Sequence, residues 1–144
     1  MKKIAIGNDH GGVDLKNAII AALKDTYKFI NVGCDTYDSV DYPDYAFKVG
    51  ELVSSKQVDF GILICKSGIG MSIAANKVKG VRCALVCDAN NAMLAHKHNN
   101  ANVIAMGANE VDIDKALKII ETYDSTQFEE RHQKRIDKIS EYEK

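Results

Sequence analysis

Short apolar runs alternate with helical patterns along almost the whole chain. The runs are KKIAIGN (2–8), KFINVG (28–33), VDFGILIC (58–65), VRCALVCD (81–88) and NVIAMG (102–107). They are rich in Ile and Val and nearly continuous in apolar content, as strands of a parallel sheet covered on both faces should be. Helical patterns fall between them, over 13–24, 44–56 (entered through Pro43), 70–77, 90–98 and 112–123. A helix after every strand predicts a doubly wound α/β sandwich.

One element is left over. Residues 126–144, TQFEERHQKRIDKISEYEK, are helical in composition and set Phe128, His132, Ile136 and Ile139 near one face. An amphipathic stripe arriving after a complete sheet must be buried somewhere. It can fold back on its own chain or reach a second subunit, and the second is the expectation here. The chain then reads as one domain, 1–144, with a C-terminal helical arm.

Composition narrows the classes of partner. The 144 residues are 46% hydrophobic and 27% charged, with a net charge of −1 at pH 7. Neither nucleic acid nor an anionic membrane is implied by that balance. Runs such as GILIC are too short to span a bilayer, and the N-terminus lacks the sustained apolar stretch of a signal peptide. A cytoplasmic protein is expected. Cys34, Cys65, Cys83 and Cys87 then read as free thiols, with Cys83 and Cys87 inside the buried fourth strand. His96 and His98, two apart on a helix, point about 200° apart. No metal site is expected of the histidines.

The chemistry gathers where strands end. In open α/β sheets, ligands bind at the carboxyl ends of the strands. Strand one leads into Asn8, Asp9 and His10, strand three into Cys65 and KSGIG, and strand five into Gly107, Ala108 and Asn109. The helix after strand four ends in HKHNN, and His98 and Asn99 are expected at this same edge. The loop of Lys66, Ser67, Gly68, Ile69 and Gly70 lets backbone N–H groups approach a phosphate, a carboxylate or a developing oxyanion. It is not a Walker loop, and GNDHGG lacks the G-x-G pair of a dinucleotide fingerprint. Cys65 could pack, attack or take a proton. A phosphatase nucleophile needs an arginine closing the loop, and Met71 stands at that position. Histidine side chains both donate and accept protons near neutral pH, and His98 is expected to serve in proton transfer. Arg131 and Arg135, four apart, would share one helical face and match a phosphate dianion.

Taken together, IAIGNDHGG, SVDYPDYA, FGILICKSGIGMSIAANKVKGVR, HKHNNANVIAMGA and FEERHQKRIDKI resemble the type B ribose-5-phosphate isomerases, grouped with the galactose-6-phosphate isomerase subunits. The resemblance covers nearly the whole chain. It implies a Rossmann-like five-stranded parallel sheet, a homodimer or dimer of dimers with shared active sites, and no metal or organic cofactor. The implied activity is interconversion of ribose 5-phosphate and ribulose 5-phosphate through an enediolate. Cys65 matches the base and Ser67 a proton relay, with the amides from Lys66 to Gly70 as oxyanion donors. His98 matches the ring-opening acid and Asn99 a binding residue beside it. Asp9 and His10 match sugar-phosphate ligands, and Arg131 and Arg135 a phosphate clamp on the neighbour's site. Three departures concern the substrate: Lys66 stands for a usual glycine, Asn109 for a frequent arginine, and FEERH for EGGRH. A six-carbon sugar phosphate, such as allose or galactose 6-phosphate, is the rival substrate. A non-catalytic phosphosugar-binding module is the alternative of a different class.

Overall fold

A computed structural model describes residues 1–144. Five strands, β1 (Lys3–Asn8), β2 (Lys28–Asn31), β3 (Phe60–Cys65), β4 (Cys83–Leu85) and β5 (Val103–Gly107), form one parallel sheet in the order β2-β1-β3-β5-β4. Six helices accompany them: α1 (Val13–Leu23), α2 (Tyr42–Ser54), α3 (Ile69–Ala75), α4 (Ala89–Lys97), α5 (Ile113–Ser125) and α6 (Gln133–Glu143). The Rossmann-like reading of the pattern is therefore correct.

Alternation along the central strands sends their side chains to two cores. Ile4, Ile6, Ile62, Ile64, Ile104 and Met106 pack on one face with Leu15 and Ile19 of α1, Ala92 and Ala95 of α4, and Ile119 and Ile120 of α5. Ala5, Leu63, Val103 and Ala105 pack on the other with Val49 and Val53 of α2 and Met71, Ala74 and Ala75 of α3. Each fully buried aliphatic side chain contributes about 1.5–3 kcal/mol over its exposed state, which drives the layering. Carboxylates cap the helix starts: Asp88 accepts from the Asn91 N–H at 2.8 Å and Asp112 from the Lys115 N–H at 2.9 Å.

The strand order contains a switch point. After β1 the chain crosses through α1 to β2; after β3 it crosses through α3, on the other face, towards β4. The adjacent carboxyl ends of β1 and β3 are thus where a doubly wound sheet opens a crevice.

Three expectations change here. The fourth strand is three residues long rather than eight, because it is an edge strand held by side chains: Asn76 accepts from the Cys83 N–H at 2.8 Å and donates to its carbonyl at 2.9 Å. Cys87 therefore lies outside the strand and is exposed, while Cys83 is partly buried and its thiol is pushed up to about 12, chiefly by burial. The C-terminal helix begins only at Gln133, after a 3-10 turn at Glu130–His132. Its stripe is divided: Ile136 is buried against its own chain, whereas Ile139 and Tyr142 stay exposed. No helix is long and apolar enough to cross a membrane.

Candidate active site

The switch point carries the first group of candidates. Asp9, buried, follows β1 and accepts from the Gly11 N–H at 2.9 Å, opening a 3-10 turn at His10–Gly12. The next side chain, His10, accepts the Val40 N–H on Nδ1 at 3.2 Å, so its neutral form carries the proton on Nε2. Its neighbours Gly11, Asp14, Tyr37, Ala108 and Asn109 line a cleft of about 440 Å³ with it.

Beside Asp9, β3 ends in Cys65, whose Sγ accepts the Gly68 N–H at 3.1 Å. That contact requires the chain to double back within three residues, and Gly68 does this with φ +79°. A Cβ there would also lie 2.7 Å from Leu85 and 2.8 Å from the Met106 carbonyl carbon, so glycine is required twice over. Ser67 Oγ accepts the Ile69 N–H at 3.2 Å, which leaves its own proton free to donate. The N–H groups of Gly70 and Met71 begin α3 with no acceptor inside the chain, as first-turn amides do. Lys66 is exposed, and its stem lies over Gly11. Its carbonyl accepts from the Asn109 N–H at 3.0 Å, so the two departures from the family pattern are neighbours. A thiol held by a backbone donor, a free hydroxyl and unspent amides gather in one loop between β3 and α3. That set can take a proton and stabilise the anion left behind.

The second group lies elsewhere, which corrects the expectation of one common edge. Helix α4 starts after β4 at the carboxyl side and runs back across the sheet, so His98 and Asn99 sit where β5 begins. Arg82, just before β4, fixes that corner: its Nε donates to the Asn99 carbonyl at 3.2 Å and its Nη2 to the Asn100 carbonyl at 2.8 Å. Cys65 is paired with Gly107 at the other end of β5, about 13 Å along the strand at 3.3 Å per residue. Within one chain, His98 and Cys65 do not share a site.

His98 instead meets the C-terminal segment. The Glu129 N–H donates to the Lys97 carbonyl at 3.0 Å and lays the segment across the end of α4. Glu129 Oε1 then lies 3.9 Å from His98 Nε2 and 3.7 Å from Lys97 Nζ, while Oε2 lies 3.5 Å from Arg131 Nε. The rings of His98 and His132 are 4.5 Å apart, tilted by 43°. Burial opposes ionisation of Glu129, yet Arg131, Lys97 and His132 together hold its carboxyl below the usual carboxylate range. Burial, then Arg131 and His98, lower the His132 imidazole below its ordinary pKa. Arg131 belongs to the 3-10 turn and Arg135 to α6, so they do not share one regular helical face as expected; Arg135 makes no ion pair within the chain.

His96 turns away to Tyr123, with Nδ1 2.7 Å from its carbonyl. The expectation that His96 and His98 diverge is met. His98 instead finds Glu129 and His132, with ligand atoms all within 4.8 Å of one another. Neither was expected beside His98, since they lie some 30 positions beyond it: Glu129 was not singled out, and His132 was read only as part of the stripe on the C-terminal helix. The one available signal was glutamate in place of glycine in FEERH.

Residues 4–139 match the family described as Ribose/Galactose Isomerase. The chain belongs to that family. Among relatives of this isomerase family, the Bacillus subtilis protein YwlF is 50% identical over 144 residues, covering 98% of this chain and 97% of its own. The solved ribose-5-phosphate isomerase B of Clostridium thermocellum superposes with a TM-score of 0.95 at 45% identity, over 98% of this chain and 97% of that one. A Mycoplasma genitalium ribose-5-phosphate isomerase B, solved with bound ribulose-5-phosphate, superposes with a TM-score of 0.93 at 42% identity, over 98% and 95%.

Proposed function

We propose that this chain is an aldose–ketose isomerase that interconverts ribose 5-phosphate and ribulose 5-phosphate, working without a cofactor in the cytoplasm as a homodimer with shared sites. The observation that carries the reading is Cys65 Sγ held against the Gly68 N–H beside Asp9 and His10, at the sheet's switch point, in a member of the Ribose/Galactose Isomerase family.

In this reading the Cys65 thiolate removes the proton from C2 of the open-chain aldose and returns it to C1. The negative charge of the enediolate falls on oxygens that Ser67 Oγ–H and the N–H groups of the loop from Lys66 through Gly68 and Ile69 to Gly70 can meet. Asp9 accepts from a sugar hydroxyl, and the Nε2–H of His10 donates towards the ring oxygen or phosphate. His98 gives a proton to the ring oxygen of the closed sugar, with Asn99 binding beside it, and Arg131 and Arg135 neutralise the phosphate. Removing a positioned base costs about 10²–10⁴-fold in rate.

The separation of the two groups supports a shared site. A two-fold axis across the β4 edge and α3 inverts the partner, bringing its amino edge to this chain's carboxyl edge. The surface there suits association: Ile69, Ile73 and Leu85 are 53%, 57% and 45% exposed, forming an apolar strip beside the Cys65 loop. His98, Asn99, Arg131 and Arg135 would then serve the partner's Cys65.

Purified protein assayed on ribose 5-phosphate should turn it over, and Cys65→Ala should lose about 10²-fold or more. Mixing inactive Cys65→Ala and Arg135→Ala chains under subunit exchange should restore part of the activity. No turnover of any aldose phosphate would sink the isomerase, and exchange without recovery would sink the shared site. Lys66 and Asn109, together at the cleft, favour a second reading in which the substrate is a six-carbon sugar phosphate. Turnover of hexose phosphates alone would select it.

A further inference from the structure

The amino-edge corner holds a donor set of its own. Glu129 Oε1 and His132 Nε2 are both buried and have no hydrogen-bond partner, an arrangement that normally costs free energy. They face His98, and one ligand atom from each of the three residues lies within 4.8 Å of the others. Two imidazole nitrogens and one carboxylate oxygen are the donors that zinc takes in open, three-ligand sites. With bonds of about 2.1 Å, tetrahedral ligands stand roughly 3.4 Å apart. His98 Nε2 and Glu129 Oε1 are at 3.9 Å, so modest side-chain rotation closes the site.

The frame around the three is already fixed. His98 caps α4, its N–H donating to the Leu94 carbonyl at 2.9 Å, and Arg82 ties down the next two carbonyls. The Glu129 N–H bond to Lys97 and the His132 N–H bond to the Glu129 carbonyl, 3.0 and 3.1 Å, hold the other two ligands. Arg131 occupies Oε2, the oxygen a monodentate metal would leave, and so orients the carboxylate as an outer partner does. Lys97, whose Nζ is 3.7 Å from Oε1, is the group a cation must displace. That competition sets the affinity below that of a dedicated structural zinc site.

We propose that His98, Glu129 and His132 form a reversible binding site for Zn²⁺ or a similar borderline divalent cation, and that occupancy inhibits the enzyme. The inhibitory half rests on the proposed function, in which His98 supplies a proton to the sugar ring. A metal on its Nε2 takes the lone pair that carries that proton, so ring opening stops while the Cys65 loop is untouched. The binding half rests on the cluster alone.

The test is titration of the chelator-treated full-length protein with Zn²⁺ by calorimetry, and with Co²⁺ by visible absorption. One metal per chain should bind, with Co²⁺ bands of nitrogen and oxygen ligation and no sulfur charge-transfer band. Glu129→Gln and His132→Gln should each weaken binding by more than about tenfold, since losing an outer partner alone costs that much. Cys87→Ser, a control for the exposed thiol beside Asp88, should leave binding unchanged. Zn²⁺ should inhibit isomerisation reversibly, and Glu129→Gln, measured against its own metal-free rate, should lose the inhibition. Absence of saturable binding, binding that survives both ligand substitutions, or a sulfur band abolished by Cys87→Ser would overturn the site. Stoichiometric binding at the three residues with undiminished turnover would overturn the inhibition. Binding in a protein that turns over no sugar phosphate would leave the site standing and remove the proposed function.

Discussion

The two ends of the sheet hold candidate chemistry built in different ways. At the carboxyl edge, Cys65, Ser67 and Gly68 lie within four residues, and backbone conformation alone brings the Gly68 N–H to the thiol. At the amino edge, His98, Glu129 and His132 are joined by the return of a distant segment across α4. The first site is a property of a turn. The second is a property of packing, and it should be the softer of the two, because fewer buried apolar contacts hold it. Ile136 is the buried anchor of α6, while the residues around it are exposed.

The sharpest way to break the first end is Gly68→Ala. The methyl group meets Leu85 and the Met106 backbone in a left-handed conformation, so stability should fall by roughly 1–3 kcal/mol. With the thiol's donor and the loop amides displaced, kcat/KM should fall by about 10²-fold or more. Urea unfolding and steady-state kinetics measure both. Full activity in Gly68→Ala would mean that the turn does not build the site.

Arg82→Met probes the second end. Losing the guanidinium leaves the Asn99 and Asn100 carbonyls without their donor, at a cost of about 1–2 kcal/mol. A displaced His98 should lower kcat/KM by about tenfold, while the rate of Cys65 alkylation by iodoacetamide stays at the wild-type value. A change in that rate would show that the two ends are coupled rather than separate.

The smallest expected effect is on pH dependence. Both Glu129 and His132 titrate below their ordinary values of 4.5 and 6.5 in the folded chain. For each, the unfolded chain binds a proton first as pH falls, so acid costs stability. Thermal midpoints should decline slightly from pH 6.5 down through the folded pKa of His132. They should decline again from pH 4.5 through that of Glu129. Glu129→Gln should flatten the lower step; an unaltered profile would mean that Arg131 and Lys97 leave Glu129 unperturbed.

The alternation of Ile- and Val-rich runs with helices was enough to read the sheet, because strands buried on both faces leave no choice of residue type. The Cys65 loop was legible for a related reason. Its glycines and its place after a buried strand are local constraints, and local constraints are written in consecutive residues. The amino-edge corner was not legible in the same way. His98 was expected beside Cys65 because HKHNN follows the fourth strand, but a nine-residue helix carries it to the far end of the sheet. Helix length was in the sequence; the direction in which that helix crosses the sheet, and what crosses its end, were not. Glu129 and His132 reach His98 only because Ile136 and the Lys97 carbonyl bring back a segment from beyond α5. Sequence determined which residues could do chemistry and which turns could hold them. Tertiary structure decided which of them meet, because packing across some 30 residues depends on the whole core rather than on neighbours along the chain.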